Sequence, residues 1–257
     1  MSAATKIEKS LAPNELILQA LLGTKGHICQ EGGFKYDSEI QSSNLLTNQP
    51  DYFFTQPATS ALWPANVCEG DEAHRLLLNR EFQKTTEKGT LLAEMRGSIS
   101  ALTQSVSLIE EACAVADELI TNSLFNAPFV DPNTHANIGV DRLTTKVVLF
   151  RPKISRLFLA QDGERLLIGI EDFFGSLSVE SLLQRVAKIY ASGVGASINY
   201  GSGGAGIGSY IVFNTGCSLY FGVRPGEQTI VACVLPYKLS RKKREGLPKH
   251  IHWIGKK

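Results

Sequence analysis

Apolar residues recur along the chain with two periods, and each period predicts one kind of element. From Leu91 to Phe125 they follow the three- and four-residue spacing of an amphipathic helix, which we expect to be interrupted near Gly97. The second part of this helix carries a single apolar stripe, formed by Ile109, Ala112, Cys113, Ala116 and Ile120. We expect this stripe to face the core.

The second half of the chain is rich in β-formers. Predicted strands cover residues 146–150, 155–160, 165–170, 217–223 and 229–235, and a helix is predicted over 179–191. The pair Asp162-Gly163 predicts a hairpin, and Pro225-Gly226 predicts a turn. Helices and strands in this order predict an α+β fold, a two-layer sandwich with a mixed, mostly antiparallel sheet and helices on one face.

The first 90 residues are less clearly patterned. Residues 14–22 and 71–88 predict helices, and residues 51–55 predict a strand. We therefore divide the chain into a region 1–90, a main domain 91–238 and a basic tail 239–257. The first region is either a separate unit or an elaboration of the main domain.

Composition narrows the class of protein. The 257 residues carry a net charge of +1, which gives no electrostatic case for nucleic acid, and no apolar run is long enough to span a membrane. The five cysteines are odd in number and widely spaced, which is typical of reduced thiols in a cytoplasmic protein. The basic tail is interpreted as a solvated end, with a partner or nucleic-acid contact as the alternative.

A glycine-rich segment is the first candidate for binding chemistry. Residues 201–208 contain five glycines and run into a predicted helix, so free backbone N–H groups there favour a phosphate chain. The segment matches a dinucleotide fingerprint in letters only, because an antiparallel hairpin follows it. The alternative is a flexible loop before an ordinary helix.

Two further polar motifs precede this segment. Glu118 and Asn122 are four residues apart, so both leave the same face of the predicted helix. Asp172 comes at the end of the predicted strand 165–170. In this order, residues 118–123, 170–172 and 204–208 resemble the N box and the two glycine boxes of the GHKL (Bergerat-fold) ATPases.

This resemblance covers about residues 91–236 and implies ATP and Mg²⁺ as ligands. It implies that Asn122 binds Mg²⁺, that Glu118 is a general base, and that Asp172 reads the adenine amine. Backbone contacts to the nucleotide would come from Gly175 in the first glycine box and from Gly204, Gly206 and Gly208 in the second.

The chain departs from the family pattern in the first glycine box, which usually reads Asp-x-Gly-x-Gly. Phe174 and Ser176 replace its two glycines, and Asn126 stands where many relatives have histidine or tyrosine. His74 lacks the surroundings of a phosphoacceptor histidine, so a self-contained sensor kinase is not expected.

The resemblance is greatest to bacterial anti-sigma-factor kinases, which implies transfer of the ATP γ-phosphoryl to a serine or threonine of a regulatory protein partner. The alternative is a degenerate, non-catalytic module that acts as a protein-binding switch. A homodimer is left open.

Overall fold

The computed structural model describes residues 27–29, 50–58, 75–129, 138, 140–142, 144–178, 182, 208–215, 218–245 and 250–255. Its strands are β1 (His27–Cys29), β2 (Arg75–Phe82), β3 (Ser155–Gln161), β4 (Arg165–Asp172), β5 (Ser218–Arg224), β6 (Gln228–Pro236) and β7 (His250–Gly255). Its helices are α1 (Pro50–Thr55), α2 (Lys88–Ser100), α3 (Val106–Phe125), α4 (Gly208–Thr215) and α5 (Arg241–Glu245), with a 3₁₀ turn at Thr85–Glu87.

The described strands form one mixed sheet in the order β1-β7-β5-β6-β4-β3-β2. The pairs from β5 through β6, β4 and β3 to β2 are antiparallel, and β7 joins β5 in parallel. The predicted α+β sandwich with a mostly antiparallel sheet is therefore confirmed.

The main core lies between α2, α3, α4 and one face of the sheet. The predicted stripe of α3 is confirmed, since its five members are all buried. Ser105 caps this helix by accepting a hydrogen bond from the N–H of Leu108 at 3.4 Å. The break between α2 and α3 falls at residues 101–105, not at Gly97.

The opposite face of the sheet is covered by α1, which was predicted as a strand and is a helix. Phe53 and Phe54 are buried there in a second apolar cluster, and the Phe53 ring stacks on Tyr220 with centroids 6.1 Å apart. Because both faces of β4 are covered, that strand is continuously apolar from Leu166 to Ile170.

The predicted helix over 71–88 is wrong, because residues 75–82 form the edge strand β2 paired with β3. Of the predicted strand 146–150, only Val148 makes a bridge, to Lys84. The hairpin at Asp162-Gly163 is confirmed: Asp162 Oδ1 accepts from the N–H of Arg165 at 2.7 Å, and Gly163 has φ +87°. The predicted helices at 14–22 and 179–191 lie outside the described residues, apart from Leu182.

The C-terminal residues do not form only a solvated end, as was expected of the basic tail. Arg244 is 5% exposed and donates to Glu111 of α3 and, at 2.6 Å, to the carbonyl of Leu239. Beyond it, β7 extends the sheet with Phe221 opposite Trp253. The strands β2, before residue 90, and β7, after residue 239, thus belong to the same sheet as the strands of region 91–238.

Candidate functional site

The C-terminal half of α3 carries a row of half-buried polar side chains that hydrogen-bond to one another. Asn122 Nδ2 donates to Glu118 Oε1 at 2.9 Å, and Asn126 Nδ2 donates in turn to Asn122 Oδ1. Arg142 closes the row by donating from Nη2 to Asn126 Oδ1 at 3.0 Å. Residues four apart stand one above another on a helix, so the helix period alone builds the first three members of this row.

Glu118 is half-buried at the inner end of the row. Burial raises the pKa of its carboxyl, while the charge of Arg142 and the hydrogen bond from Asn122 act in the opposite direction. A carboxyl with a raised pKa is a stronger base than an exposed glutamate and is suited to accept a proton near neutral pH.

Gly208, the first residue of α4, lies directly against this carboxyl. A Cβ added at Gly208 would come within 1.7 Å of the Glu118 carboxyl carbon. A larger residue at position 208 would force the Glu118 carboxyl to move, so the end of the predicted phosphate-binding segment meets Glu118. Gly204 and Gly206 lie outside the described residues.

Beside the row lies a pair of charged side chains, Lys88 and Asp117, and Asp117 directly precedes Glu118 on α3. Lys88 Nζ, at the start of α2, lies 2.8 Å from Asp117 Oδ1 and donates to Thr121 Oγ1 at 2.7 Å. The Lys88 ammonium is therefore held by a carboxylate and a hydroxyl. Nothing in the spacing of residues 88 and 117 in the sequence indicates this pair.

Asp172 lies at the end of β4, on the sheet face that packs against the helices. Ile168 and Ile170, which share its face, belong to the core under the helices. The carboxylate accepts a hydrogen bond from the N–H of Phe174 at 3.0 Å. Burial raises the pKa of Asp172 to about 6, against the hydrogen bonds that it accepts and the charge of Lys153.

Glu171 points to the opposite face of the sheet and takes no part in this site. Its carboxylate forms an ion pair with Arg156 at 3.0 Å and accepts a hydrogen bond from Gln228. Burial raises the pKa of this carboxyl as well. Because successive side chains of a strand point to opposite faces of the sheet, the adjacent carboxyls of Glu171 and Asp172 lie in different surroundings.

The segment after Asp172 replaces the glycines of the family pattern with residues that anchor it. The Lys153 ammonium donates to the carbonyl of Phe173 and lies 5.4 Å from the centre of the Phe174 ring. Gly175 has φ +60°, and a Cβ there would come within 2.1 Å of the Arg224 carbonyl oxygen. This turn is therefore fixed in place by close backbone packing.

Ser176, which replaces the second glycine of the pattern, connects this turn to α3. Its Oγ donates to the carbonyl of Ala127 at 2.8 Å. The N–H of Ala127 donates to the carbonyl of Asn122 at 2.9 Å, so the bond reaches the helix end that carries the polar row. Two motifs about 50 residues apart in the sequence thus lie side by side.

The predicted site residues in the described part of the chain fall into two groups around α3. Glu118, Asn122 and Gly208 are in one cluster, and Asp172 and Gly175 belong to the turn joined to the helix end by Ser176. Sequence reasoning assigned no role to Arg142, Lys88 and Lys153, and gave Ser176 and Asn126 only as departures. The four-residue step from Asn122 to Asn126 is the one local signal that could have indicated a longer row.

Within the described ranges, no three histidine, cysteine, aspartate or glutamate side chains gather in a way that could hold a metal ion. Asn122 offers a different kind of ligand. Its Oδ1 accepts one hydrogen bond from Asn126, and an amide oxygen has a second lone pair. Because Mg²⁺ prefers oxygen ligands and retains waters, one such oxygen beside nucleotide phosphates fits its chemistry.

No family model matches this sequence, and no curated protein matches it. Among solved structures, a chain in the crystal structure of the SiaB–SiaC complex from Pseudomonas aeruginosa superposes with a TM-score of 0.41 and 12% identity. The superposition covers 63% of the present chain and 91% of that chain. A likeness at this level carries no argument about activity, so function is argued from the site.

None of the helices in the described part of the chain is long and apolar enough to cross a membrane.

Proposed function

We propose that this chain is an ATP-binding signalling protein of the Bergerat type, with Mg²⁺ as cofactor and a regulatory protein as partner. One observation supports this most strongly: segments distant in sequence converge on one end of α3. Gly208 lies against Glu118, and the turn after Asp172 is bonded through Ser176 to the end of the same helix.

The proposed roles follow from the donors and acceptors that these side chains offer. Asp172 accepts from the exocyclic amine of adenine, since a carboxylate has about four lone-pair positions and keeps room beside the bond from Phe174. Asn122 holds Mg²⁺ through Oδ1. The backbone N–H groups of Gly204, Gly206 and Gly208 bind the phosphates.

The proposed reaction is transfer of the γ-phosphoryl group of ATP to a serine or threonine of the partner. The hydroxyl oxygen bonds to the γ-phosphorus, the bond from that phosphorus to the bridging oxygen breaks, and ADP leaves. Glu118 takes the hydroxyl proton, and its carboxylate is kept in position by the bond from Asn122. Bound Mg²⁺ neutralises charge on the phosphates, which is the main requirement of phosphoryl transfer.

The test is calorimetric titration of Mg²⁺–ADP and Mg²⁺–ATP at pH 8 into the wild type, Asp172→Asn and Glu171→Gln. A hydrogen bond to a charged group contributes about 1.5–3 kcal/mol, so Asp172→Asn should weaken binding about ten- to a hundredfold. Glu171→Gln is the matched control, because it removes the neighbouring buried carboxylate from the other face of the sheet.

A wild type that gives neither heat nor a thermal shift at millimolar nucleotide would refute the proposal. Equal losses in the two variants would also count against it, since they would point to a general change in the fold and not to a contact with adenine.

A non-catalytic, protein-binding switch is the second candidate, and the first glycine box favours it. Phe174 packs against the main core where the family pattern has glycine, Lys153 holds the same turn, and Asp172 is 5% exposed. This packing opposes the entry of a base. Partner binding that persists in Glu118→Gln and Asp172→Asn, without nucleotide binding by the wild type, would support this candidate.

A further inference from the structure

Arg142 is the outer member of the polar row on α3. It lies in a segment between α3 and β3 and is half-buried. Its Nη2 donates to Asn126 Oδ1 at 3.0 Å, and its charge is close enough to Glu118 to lower the pKa of that carboxyl. Asn126 therefore links the guanidinium to Asn122, which accepts from Asn126 and donates to Glu118.

The two cations near Glu118 differ in how far their charge is neutralised. Lys88 is held by Asp117 at 2.8 Å and by the Thr121 hydroxyl at 2.7 Å. Arg142 has no ion pair with a carboxylate among the described residues, and its bond is to a neutral amide oxygen. Arg142 thus adds a positive charge to the row. Its hydrogen bond to Asn126 does not neutralise that charge, because the amide oxygen carries no net charge.

A guanidinium presents five N–H donors in a planar fork. One donor engaged by an amide leaves others for an anion, and this geometry matches the oxygens of a phosphate group. The Asn126 amide accepts from Arg142 and donates to Asn122 Oδ1, so a single amide group separates these donors from the oxygen proposed to hold Mg²⁺.

We propose that Arg142 binds the polyphosphate chain of the nucleotide beside the Mg²⁺ ligand Asn122. This inference rests on the proposed binding of ATP. Arg142 lies outside the three motifs of the sequence, yet it would contribute to nucleotide affinity. Its bond to Asn126 would orient the guanidinium.

The competing possibility is that Arg142 only positions Asn126. Two substitutions separate the roles. Arg142→Gln removes the charge and keeps a side-chain N–H that can donate to Asn126, whereas Arg142→Lys keeps the charge and loses the planar fork. Arg151→Gln is the matched control, because Arg151 is a well-exposed arginine that bonds Glu81 at 3.2 Å.

The experiment measures the Kd of Mg²⁺–ADP by calorimetry and the melting temperature without nucleotide for all four proteins. Arg142→Gln should weaken binding about tenfold or more, as expected for loss of a charge-assisted bond to phosphate, and Arg142→Lys should weaken it less. The melting temperatures should stay within about 4 °C of each other, and Arg151→Gln should bind like the wild type.

Wild-type affinity in Arg142→Gln would overturn the assignment while leaving ATP binding intact. Equal losses in Arg142→Gln and Arg142→Lys would overturn it too, because charge would then play no part. A wild type that binds no nucleotide would instead refute the proposed function on which the assignment rests.

Discussion

The charge of Asp172 should lower the stability of this fold at neutral pH, and asparagine at that position should remove the effect. The side chain is 5% exposed, and burial raises the pKa of its carboxyl from 3.8 to about 6. The hydrogen bond from the Phe174 N–H favours the charged form, as does the charge of Lys153. These contacts reduce the desolvation penalty without cancelling it.

The direction in which stability changes with pH follows from proton binding. A carboxyl with a higher pKa in the folded chain binds protons more strongly there, so its stabilisation is complete below pH 3.8 and is lost as the pH rises through about 6. The full difference corresponds to about 3 kcal/mol. About 1 kcal/mol of it falls between about pH 5 and pH 8.

The assay is urea denaturation of the wild type and Asp172→Asn between pH 5 and pH 8. The free energy of unfolding of Asp172→Asn, relative to the wild type, should increase by about 1 kcal/mol from the lower to the upper end of this range. Glu110→Gln is the control, because the hydrogen bond and charge of Arg96 lower the pKa of the Glu110 carboxyl, which stays charged across this range. Its difference from the wild type should be the same at both ends.

A difference between Asp172→Asn and the wild type that stays constant with pH would refute this reasoning, since the charged carboxylate would then carry no burial penalty. The expected result would support the proposed role of Asp172. If Asp172→Asn stabilises the fold and also weakens nucleotide binding, the charge that it removes is one that the ligand requires.

Two further predictions concern close packing. Gly208→Ala should destabilise the protein by about 1 kcal/mol in urea denaturation, because its Cβ would displace the Glu118 carboxyl from its bond with Asn122, and by less in a Glu118→Ala background. Gly97→Ala, with open space around it, should be neutral or slightly stabilising, and equal effects at the two glycines would contradict the contact. Phe53→Ala should cost about 3–5 kcal/mol in the same assay, because the ring is fully buried on the outer face of the sheet. A loss below about 1 kcal/mol would show that α1 does not cover that face stably.

Local signals were sufficient for some elements of the fold. The stripe from Ile109 to Ile120 repeats with the helix period, and the Asp162-Gly163 turn has a side-chain acceptor and a positive φ angle within the hairpin itself. Neither feature depends on a distant segment. The pairing of Glu118 with Asn122 is of the same kind, since one turn of helix brings them together.

Other elements were misassigned because distant contacts decide them. The apolar run at Leu76–Leu78 fits either period, and antiparallel pairing with β3 makes it a strand. Phe53 and Phe54 have strong β propensity, yet burial of both rings against the outer sheet face favours a helix. Arg244 belongs to a run of charges, but Glu111 of α3 holds it in a buried position.

The sequence by itself determined the α+β class, the helix that carries Glu118 and Asn122, and the strand that ends at Asp172, because periodicity and turn chemistry are local. Only the tertiary structure decided which other residues meet these motifs. Ser176 reaches Ala127, Arg142 joins the row at Asn126, and Gly208 lies against Glu118. Such contacts depend on how helices pack on a sheet, and no spacing along the chain encodes them.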